Sequence, residues 1–393
     1  MKTGKPSGPQ WVLLCVFVYY VLSNAVALHE VLPVNVKHLM FVLLALLSAV
    51  SSPRYSAKAV LVSLPLALIY FIGGVPLLGG MVLVFAASVP VVSKVVAEIV
   101  AQRRLRIVLL LAAIALIPAM LSFNTLLDEG IFDTTYGGRE RVLLGYFHPK
   151  EAGICFGIPA LLLLMMLRRH LLIVAAVLAA LIGVVGSRNV ALLIIMAALL
   201  RRFPRAVFIA TAIAGVGVLG WLWINPELLD ALDTLMSLRL SLWQEALTAS
   251  GDQTVGLNFA EGDRFGVDNF FVEAFIYAGG AAVALLLIWL AIGVGIVRRR
   301  MRISCWPMVA LCLLLLFASF DSGIASTGNL MHAFLWSVML APIFVGRATR
   351  VRSVNKRDSN VLRNTNGPRA NDSFPVGRFP TFAKQKGARG QPA

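Results

Sequence analysis

The chain has 393 residues, of which 59% are hydrophobic and 14% are charged, and its mean hydropathy is +0.84. This composition excludes a soluble globular protein of this length and is typical of a polytopic helical membrane protein. The formal net charge of +16 would indicate nucleic acid as partner of a soluble protein. Here the basic residues mostly flank apolar segments, so membrane lipids are the expected partner and no nucleic acid is predicted.

The apolar segments predict an all-α polytopic membrane protein with about twelve transmembrane helices. The predicted crossings are 11–28, 38–52, 59–74, 76–93, 107–122, 151–167, 170–186, 189–200, 206–224, 268–297, 304–320 and 328–345. Short loops rich in Lys and Arg stay inside, so this order places both termini in the cytoplasm. Only seven of the 35 Lys and Arg residues then fall on the outer side: Lys37, Arg139, Arg141, Lys150, Arg188, Arg239 and Arg264.

Residues 1–346 form one predicted transmembrane domain with two long outer loops, at 123–150 and 225–267. Residues 347–393 are basic and rich in Pro, Gly, Asn and Ser, which predicts a disordered cytoplasmic tail beside anionic headgroups. The four cysteines lie in apolar segments without a CxxC pattern or a Cys/His cluster. Neither a metal site nor a disulfide framework is therefore predicted, and no cofactor is expected.

The hairpin of 170–186 and 189–200 has arms shorter than the roughly 20 residues of a full crossing. Its turn, Gly186–Asn189, is therefore expected to lie below the outer surface, which places Arg188 within the membrane profile. An arginine at this depth is expensive and indicates a functional site. Beside Ser187 and at a helix N-terminus, it suits an anion such as the diphosphate of a polyprenyl lipid.

Other outer residues favour the same kind of site. Asn225 and Pro226 predict the start of an interfacial helix that carries Arg239 on its apolar stripe. Farther along, Asn269 and Glu273 are four residues apart and share a helix face. The remaining candidate anion ligands are Arg139 and Arg141.

Each of these residues also has a purely structural interpretation. Arg188 would then pair with Asp321 or Glu273, and Arg239 would extend to lipid headgroups. The structural roles of the others are a solvated loop for Arg139 and Arg141, an ordinary interfacial position for His148 and a helix N-cap for Asp268.

Group transfer between lipid-linked substrates would need a base that takes a proton from an acceptor hydroxyl. His148, Asp268, Glu140 and Glu273 are residues of suitable type on the predicted outer side. The outer loops contain no DxD-type acidic pattern, so metal-independent transfer is expected, with arginines stabilising the leaving diphosphate.

Several stretches, in order, resemble the O-antigen polymerase and ligase superfamily. Residues 141–150, RVLLGYFHPK, resemble its "R…G.F.NPN" stretch, and Val185-Gly186-Ser187-Arg188 resembles its "T-x-SR-G" motif. The superfamily also has a later pattern, "R…W…G.G…(H/D)N.y…G". The residues of this chain that resemble it are Arg239, Trp243, Gly256, Asp268-Asn269-Phe270 and Gly279-Gly280. The departures are Asn189 after the motif arginine, His-Pro-Lys for Asn-Pro-Asn, and Asp268 where ligases have a catalytic histidine.

The resemblance implies a GT-C-like membrane glycosyltransferase of the bacterial inner membrane that acts at the periplasmic face on undecaprenyl-pyrophosphate-linked oligosaccharides. Arg188 and Arg239 would contact the diphosphate, and Arg141 and His148 would line the site. Asp268 favours a repeat-unit polymerase, of the type called Wzy, over a ligase that transfers polymer to lipid A core. A chain-length-regulating co-polymerase is a possible partner under this interpretation. The alternative from another class is a flippase for lipid-linked oligosaccharide.

Overall fold

A computed structural model describes most of the apolar part of the chain. The described residues are 8–28, 31–33, 36–123, 132–133, 141–142, 144–146, 148–167, 169–184, 187–207, 209–210, 239–250, 269–298, 304–319, 321, 324–327 and 329–344. All of them belong to one compact unit, Met1–Val345. The predicted tail at 347–393 and most of the predicted crossing at 206–224 lie outside the described residues.

The described elements are almost all helical. They are α1 (Gly8–Ser23), a 3-10 turn (Val26–Leu28), α2 (Val36–Ser51), α3 (Pro53–Ile72), α4 (Pro76–Ala101), α5 (Leu105–Ala115), α6 (Ile117–Leu121), β1 (Phe132–Asp133), β2 (Arg141–Val142), α7 (Pro149–Met166), α8 (Leu171–Val184), α9 (Arg188–Arg202), α10 (Arg239–Ser250), α11 (Phe270–Arg298), α12 (Trp306–Ala318) and α13 (Leu330–Phe344).

Apolar helices occupy the other eleven predicted crossings. Three of them, α3, α4 and α11, are long and apolar enough to cross a membrane by length and composition. Several shorter apolar helices accompany them, including α1, α2, α8 and α12. These helices confirm the prediction of a helical protein and are compatible with its being embedded in a membrane.

Two predicted boundaries differ from the structure, and one helix contains a kink. Helix α3 begins at Pro53 rather than at residue 59, because proline suits the first helical turn, and Ser52 alone separates it from α2. Helix α4 continues beyond residue 93 to Ala101, and Lys94 is exposed on its surface. Helix α11 is kinked at Gly279, whose φ of 53° and ψ of −138° suit only glycine.

The first long loop contains a small strand pair that the all-helical prediction did not include. Strands β1 and β2 are antiparallel, with Phe132 opposite Val142 and Asp133 opposite Arg141. A few residues later, Tyr146 forms an isolated bridge with Ala25. The loop is thus tied to the first helices of the bundle.

Aromatic side chains fill the centre of the bundle where α2, α4, α11 and α13 meet. Trp336 lies 5.7 Å from Trp289 and 5.9 Å from Phe85 between ring centroids, and Phe85 stacks on Phe41 at 5.8 Å. The Trp336 indole donates a hydrogen bond of 2.8 Å to the carbonyl of Ile324. Large apolar side chains dominate such contacts because they bury the most surface.

Side-chain contacts group the helix ends into two chemically different ends of the bundle. At the basic end, Arg104 donates to Gln10, which donates to Glu98 at 3.1 Å. There too, the Arg201 guanidinium lies over the Trp306 ring, 5.1 Å from its centroid. We call the opposite end the polar end; it contains the starts of α2, α7, α9, α11 and α13.

Candidate functional site

Contacts between distant segments bring the predicted outer residues together at the polar end. The Lys37 ammonium donates a 2.7 Å hydrogen bond to Asn24, and His38 Nδ1 lies 2.8 Å from the Thr327 hydroxyl. The Asn269 amide donates to the carbonyl of Ser319 at 3.2 Å. These bonds connect the start of α2 to the end of α1 and to the chain before α13, and the start of α11 to the end of α12.

Three helices that start at the polar end are capped by their own side chains. His148 Nδ1 accepts the backbone N–H of Lys150 at 3.0 Å at the start of α7. Asn269 Oδ1 accepts the N–H groups of Phe271 and Val272 at 2.9 and 3.2 Å at the start of α11. Asn329 Oδ1 accepts those of Met331 and His332 at 3.0 and 3.2 Å at the start of α13. Each cap satisfies amides that a helix start leaves without a partner.

The start of α9 is different, because Ser187 makes no side-chain capping bond there. Ser187 is only 5% exposed and lies against Gly153 of α7. Its hydroxyl therefore faces the neighbouring helix instead of the first turn of its own helix. The amides at this end of α9 keep the positive potential that favours an anion.

Arg188 is the first residue of α9, and its side chain is exposed. The predicted position of Arg188 within the membrane profile stays a prediction, and the buried member of the turn is Ser187. The side chain of a first-turn residue tilts toward the helix N-terminus, which carries this guanidinium away from the protein interior. An exposed cation at an uncapped helix start is well placed to meet an anionic group from outside the bundle.

A charged cluster that the sequence did not reveal lies under the start of α7. The Lys150 ammonium is paired with the carboxylate of Asp321, which is 2% exposed. The Asn329 amide donates to Asp321 Oδ2 at 2.8 Å, and Nε2 of the fully buried His332 lies 3.8 Å from the same oxygen. A buried carboxylate needs such partners because its desolvation is costly.

Tyr20 connects a second pair of opposite charges at the same end. Its hydroxyl donates to the Glu151 carboxylate, and the Lys37 ammonium lies over its ring, 5.2 Å from the centroid. Glu151 follows Lys150 directly, so the two clusters adjoin in the first turn of α7. Lys37 and Lys150 were counted only as outer cations from the sequence, and the structure gives both buried partners.

Glu273 and Asn269 lie at the start of α11, as their spacing predicted. The Tyr70 hydroxyl donates to Glu273 Oε1 at 3.4 Å, and the rings of Tyr70 and Tyr277 lie 5.6 Å apart. Both functional groups of Asn269 make protein hydrogen bonds, through its cap and its bond to Ser319. A binding role for Asn269 would therefore require these bonds to change.

Several predicted site residues are only partly covered by the structure. Arg141 lies in β2, and Arg239 is the first residue of α10. Predictions on Arg139, Glu140 and Asp268 fall outside the described residues and stay predictions. The sequence did contain a signal for the missed cluster, because Asp321, Asn329 and His332 are polar residues set among the apolar stretches of the last two helices.

Within the described ranges, no group of three or more His, Cys, Asp or Glu side chains is placed to hold a metal ion. Comparison of the chain with known protein families, with curated proteins and with solved structures finds no match.

Proposed function

We propose that this protein is a membrane-embedded glycosyltransferase that joins undecaprenyl-pyrophosphate-linked oligosaccharide repeat units into a polysaccharide. The polar end would then face the periplasm from the bacterial inner membrane. The proposal combines the resemblance of residues 141–150 and 185–188 to the O-antigen polymerase and ligase superfamily with the architecture of the polar end.

The observation that carries the proposal is the contrast between α9 and its neighbours. Helices α7, α11 and α13 have their first amides capped by His148, Asn269 and Asn329. Helix α9 has no side-chain cap from Ser187 and begins with the exposed Arg188. A leaving diphosphate needs hydrogen-bond donors and positive charge that are fixed before the reaction, and this helix start supplies both.

The proposed reaction is displacement at an anomeric carbon. An acceptor sugar hydroxyl forms the new C–O bond, and the bond between the anomeric carbon and the diphosphate breaks. The electron pair leaves with undecaprenyl diphosphate, whose new charge Arg188 stabilises. The hydroxyl proton goes to a base, for which Glu273, His148, Asp268 and Glu140 remain candidates.

Among the candidate bases with described side chains, geometry favours Glu273 over His148. The Nδ1 lone pair of His148 already accepts the Lys150 amide, so its neutral ring carries the proton on Nε2. Glu273 accepts the Tyr70 hydroxyl on one oxygen, and a carboxylate offers about four lone-pair sites in all.

The test is the glycan profile of a strain that lacks this protein, for both lipid-linked and finished glycans. Single repeat units on undecaprenyl pyrophosphate or on lipid A core would support a polymerase. Long polymer on undecaprenyl pyrophosphate beside bare core would overturn the polymerase in favour of a ligase. Single units trapped on the cytoplasmic leaflet would overturn it in favour of a flippase.

A further inference from the structure

An apolar groove runs between α5, α7 and α8. Its volume is about 520 Å³, and its described lining consists of apolar side chains, among them Leu105, Leu116, Phe156, Leu163 and Leu181. Such a surface offers a ligand no hydrogen-bond partner from its side chains and therefore suits a hydrocarbon chain.

One end of the groove lies among arginines of the basic end. Leu105, the first residue of α5, lines the groove, and its neighbours in the chain are Arg104 and Arg106. Arg106 is exposed and stands three residues before Leu109, so the two side chains are neighbours on the surface of α5. The groove therefore begins between cationic side chains and continues along apolar ones.

The turn that carries these arginines is firmly held. Arg103 is exposed and has a φ of 48°, which is uncommon for a residue other than glycine. The Arg104 amide donates to the Ile99 carbonyl at 3.0 Å, and the Arg104 guanidinium donates to Gln102 at 2.6 Å and to Gln10 at 2.7 Å. Unusual backbone conformations persist where surrounding contacts hold them, and they are common at ligand sites. The backbone at Arg103 is thus fixed before any ligand binds.

The connection between α7 and α8 adds positive charge at the same end. Helix α7 ends there, because Arg201 of the basic end donates to the carbonyl of Leu164. The exposed Arg169 follows α7 directly. Arginines near a membrane surface attract anionic headgroups, and the effect grows with each cation.

The other end of the groove has no such charges in its described lining. It is formed by Leu116, Leu144 and Val184. The Tyr146 hydroxyl donates to the carbonyl of Ala115, the last residue of α5, at 2.7 Å. This bond holds the segment around Leu144 against the end of α5, so the tip of an apolar chain would meet Leu144 there.

The depth of the groove matches one leaflet, measured from the basic end. Along α5 its lining extends from Leu105 to Leu116, which is about 16 Å at 1.5 Å per residue. The hydrocarbon core of a bilayer is about 30 Å thick, so the groove covers roughly half of it. Leu109, Leu116 and Leu181 are 60, 47 and 61% exposed, which leaves the groove open sideways to a lipid that enters from the bilayer.

We infer that this groove binds an acyl chain of an anionic phospholipid from the leaflet at the basic end, while Arg103 and Arg106 contact the phosphate. The occupant follows from charge complementarity, because the ligand must combine a chain about one leaflet long with a negative headgroup beside Leu105. Arginine forms paired hydrogen bonds with phosphate oxygens and keeps its charge there. The inference is independent of the proposed function, since it concerns the end of the bundle opposite the polar end.

Neighbouring residues on α5 allow a matched experiment. Ala112 lines the groove, whereas Ala113 is exposed on α5 and is not part of that lining. The photoreactive residue p-benzoylphenylalanine is placed at either position in the full-length protein. Each variant is reconstituted in nanodiscs of phosphatidylethanolamine and phosphatidylglycerol, irradiated and analysed by mass spectrometry for the two kinds of lipid adduct.

A second pair of variants tests the arginines. Arg103→Gln with Arg106→Gln removes two charges beside the groove. Arg54→Gln with Lys58→Gln removes two exposed charges from α3, which contributes no residue to the described lining. Both double variants are combined with the photoreactive residue at position 112.

We expect the ratio of phosphatidylglycerol to phosphatidylethanolamine adducts at position 112 to exceed that at position 113 at least fivefold. The Arg103 and Arg106 double variant should lower the ratio at 112 to the value at 113, and the Arg54 and Lys58 double variant should leave it unchanged. Equal ratios at 112 and 113 would overturn the inference. A ratio at 112 that the loss of Arg103 and Arg106 leaves unchanged would overturn it as well.

A second readout uses the protein without the photoreactive residue. Thermal unfolding in detergent measures how far added phosphatidylglycerol raises the melting temperature. The rise should fall at least twofold in the Arg103 and Arg106 double variant and in Ala112→Trp, which fills the groove, but not in Ala113→Trp. Equal rises in all of these variants would overturn the groove as the lipid site.

Discussion

A Cβ atom on Gly153 of α7 would lie 1.9 Å from the hydroxyl oxygen of Ser187, the residue that precedes α9. The two helices approach this closely only because residue 153 has no side chain. Gly153 thereby fixes both the direction of the Ser187 hydroxyl and the position at which α9 begins. The location of Arg188 is set by this contact.

Gly153→Ala should displace the start of α9 and lower polymer formation at least tenfold. We expect an accompanying loss of about 1–3 kcal/mol of stability from overpacking. Adding Ser187→Gly to this variant removes the side-chain atoms that the new Cβ atom would overlap. The double variant should regain part of the polymer formation and part of the stability. The measurements are polymer length in cells and the melting temperature of the purified protein, with Gly183→Ala as control because a Cβ there meets nothing within 4 Å. Equal effects of the two alanine variants would contradict the role of this contact.

Arg188→Ala should abolish polymer formation while the protein stays folded in the membrane. Arg188→Lys should restore little of it, since lysine keeps the charge but loses the two-pronged geometry that matches phosphate oxygens. Arg202→Ala, an exposed arginine at the other end of α9, is the matched control and should be nearly neutral. Full activity of the lysine variant would exclude a bidentate phosphate contact.

Lys150→Met should destabilise the protein by about 3 kcal/mol, because it leaves the buried Asp321 carboxylate without its ammonium partner. The double variant Lys150→Met with Asp321→Asn should lose less than Lys150→Met alone. Thermal unfolding in detergent measures the stability of the single and the double variant. Lys94→Met, at an exposed position on α4, is the control for the loss of a positive charge. Additive effects of the two changes would show that the pair is not coupled.

Substitutions of His148 distinguish its role as the cap of α7 from a role as the catalytic base. His148→Asn keeps an acceptor for the Lys150 amide, so we expect near-native stability and activity within a few-fold. His148→Ala should lose about 1 kcal/mol of stability, measured by thermal unfolding. If the asparagine variant is stable yet inactive, His148 acts as the base and Glu273 does not have the role that the geometry favours.

Gly145→Ala should be among the most disruptive single substitutions in the first long loop. Its positive φ and the nearby Pro118 carbonyl both oppose a side chain, so we expect a loss above about 2 kcal/mol. Gly80→Ala is the control, since a Cβ there contacts nothing within 4 Å. The melting temperatures of the two variants are compared, and a neutral result for Gly145→Ala would contradict a strained turn at Leu144 and Gly145.

The sequence by itself determined the helical segments and the residues that share an end of the bundle. Runs of apolar residues near membrane-spanning length must form helices, since a lipid-facing backbone has to satisfy its own hydrogen bonds. The connections rich in Lys and Arg then placed Lys37, His148, Arg188 and Glu273 at the opposite end, and the structure has all four at the polar end. Helix bounds at Pro53 and Ala101 were less predictable, because a few polar residues continue a helix at little cost.

Only the tertiary structure decided which polar groups meet. Lys150 and Asp321 are 171 residues apart and pair because the starts of α7 and α13 pack together, which periodicity along a single helix does not encode. The same holds for the uncapped start of α9. Ser187 is a residue type that usually caps, and the absence of a side chain at Gly153 turned its hydroxyl toward another helix. The fold follows from local runs of sequence, whereas the site depends on close approaches between helices that are distant along the chain.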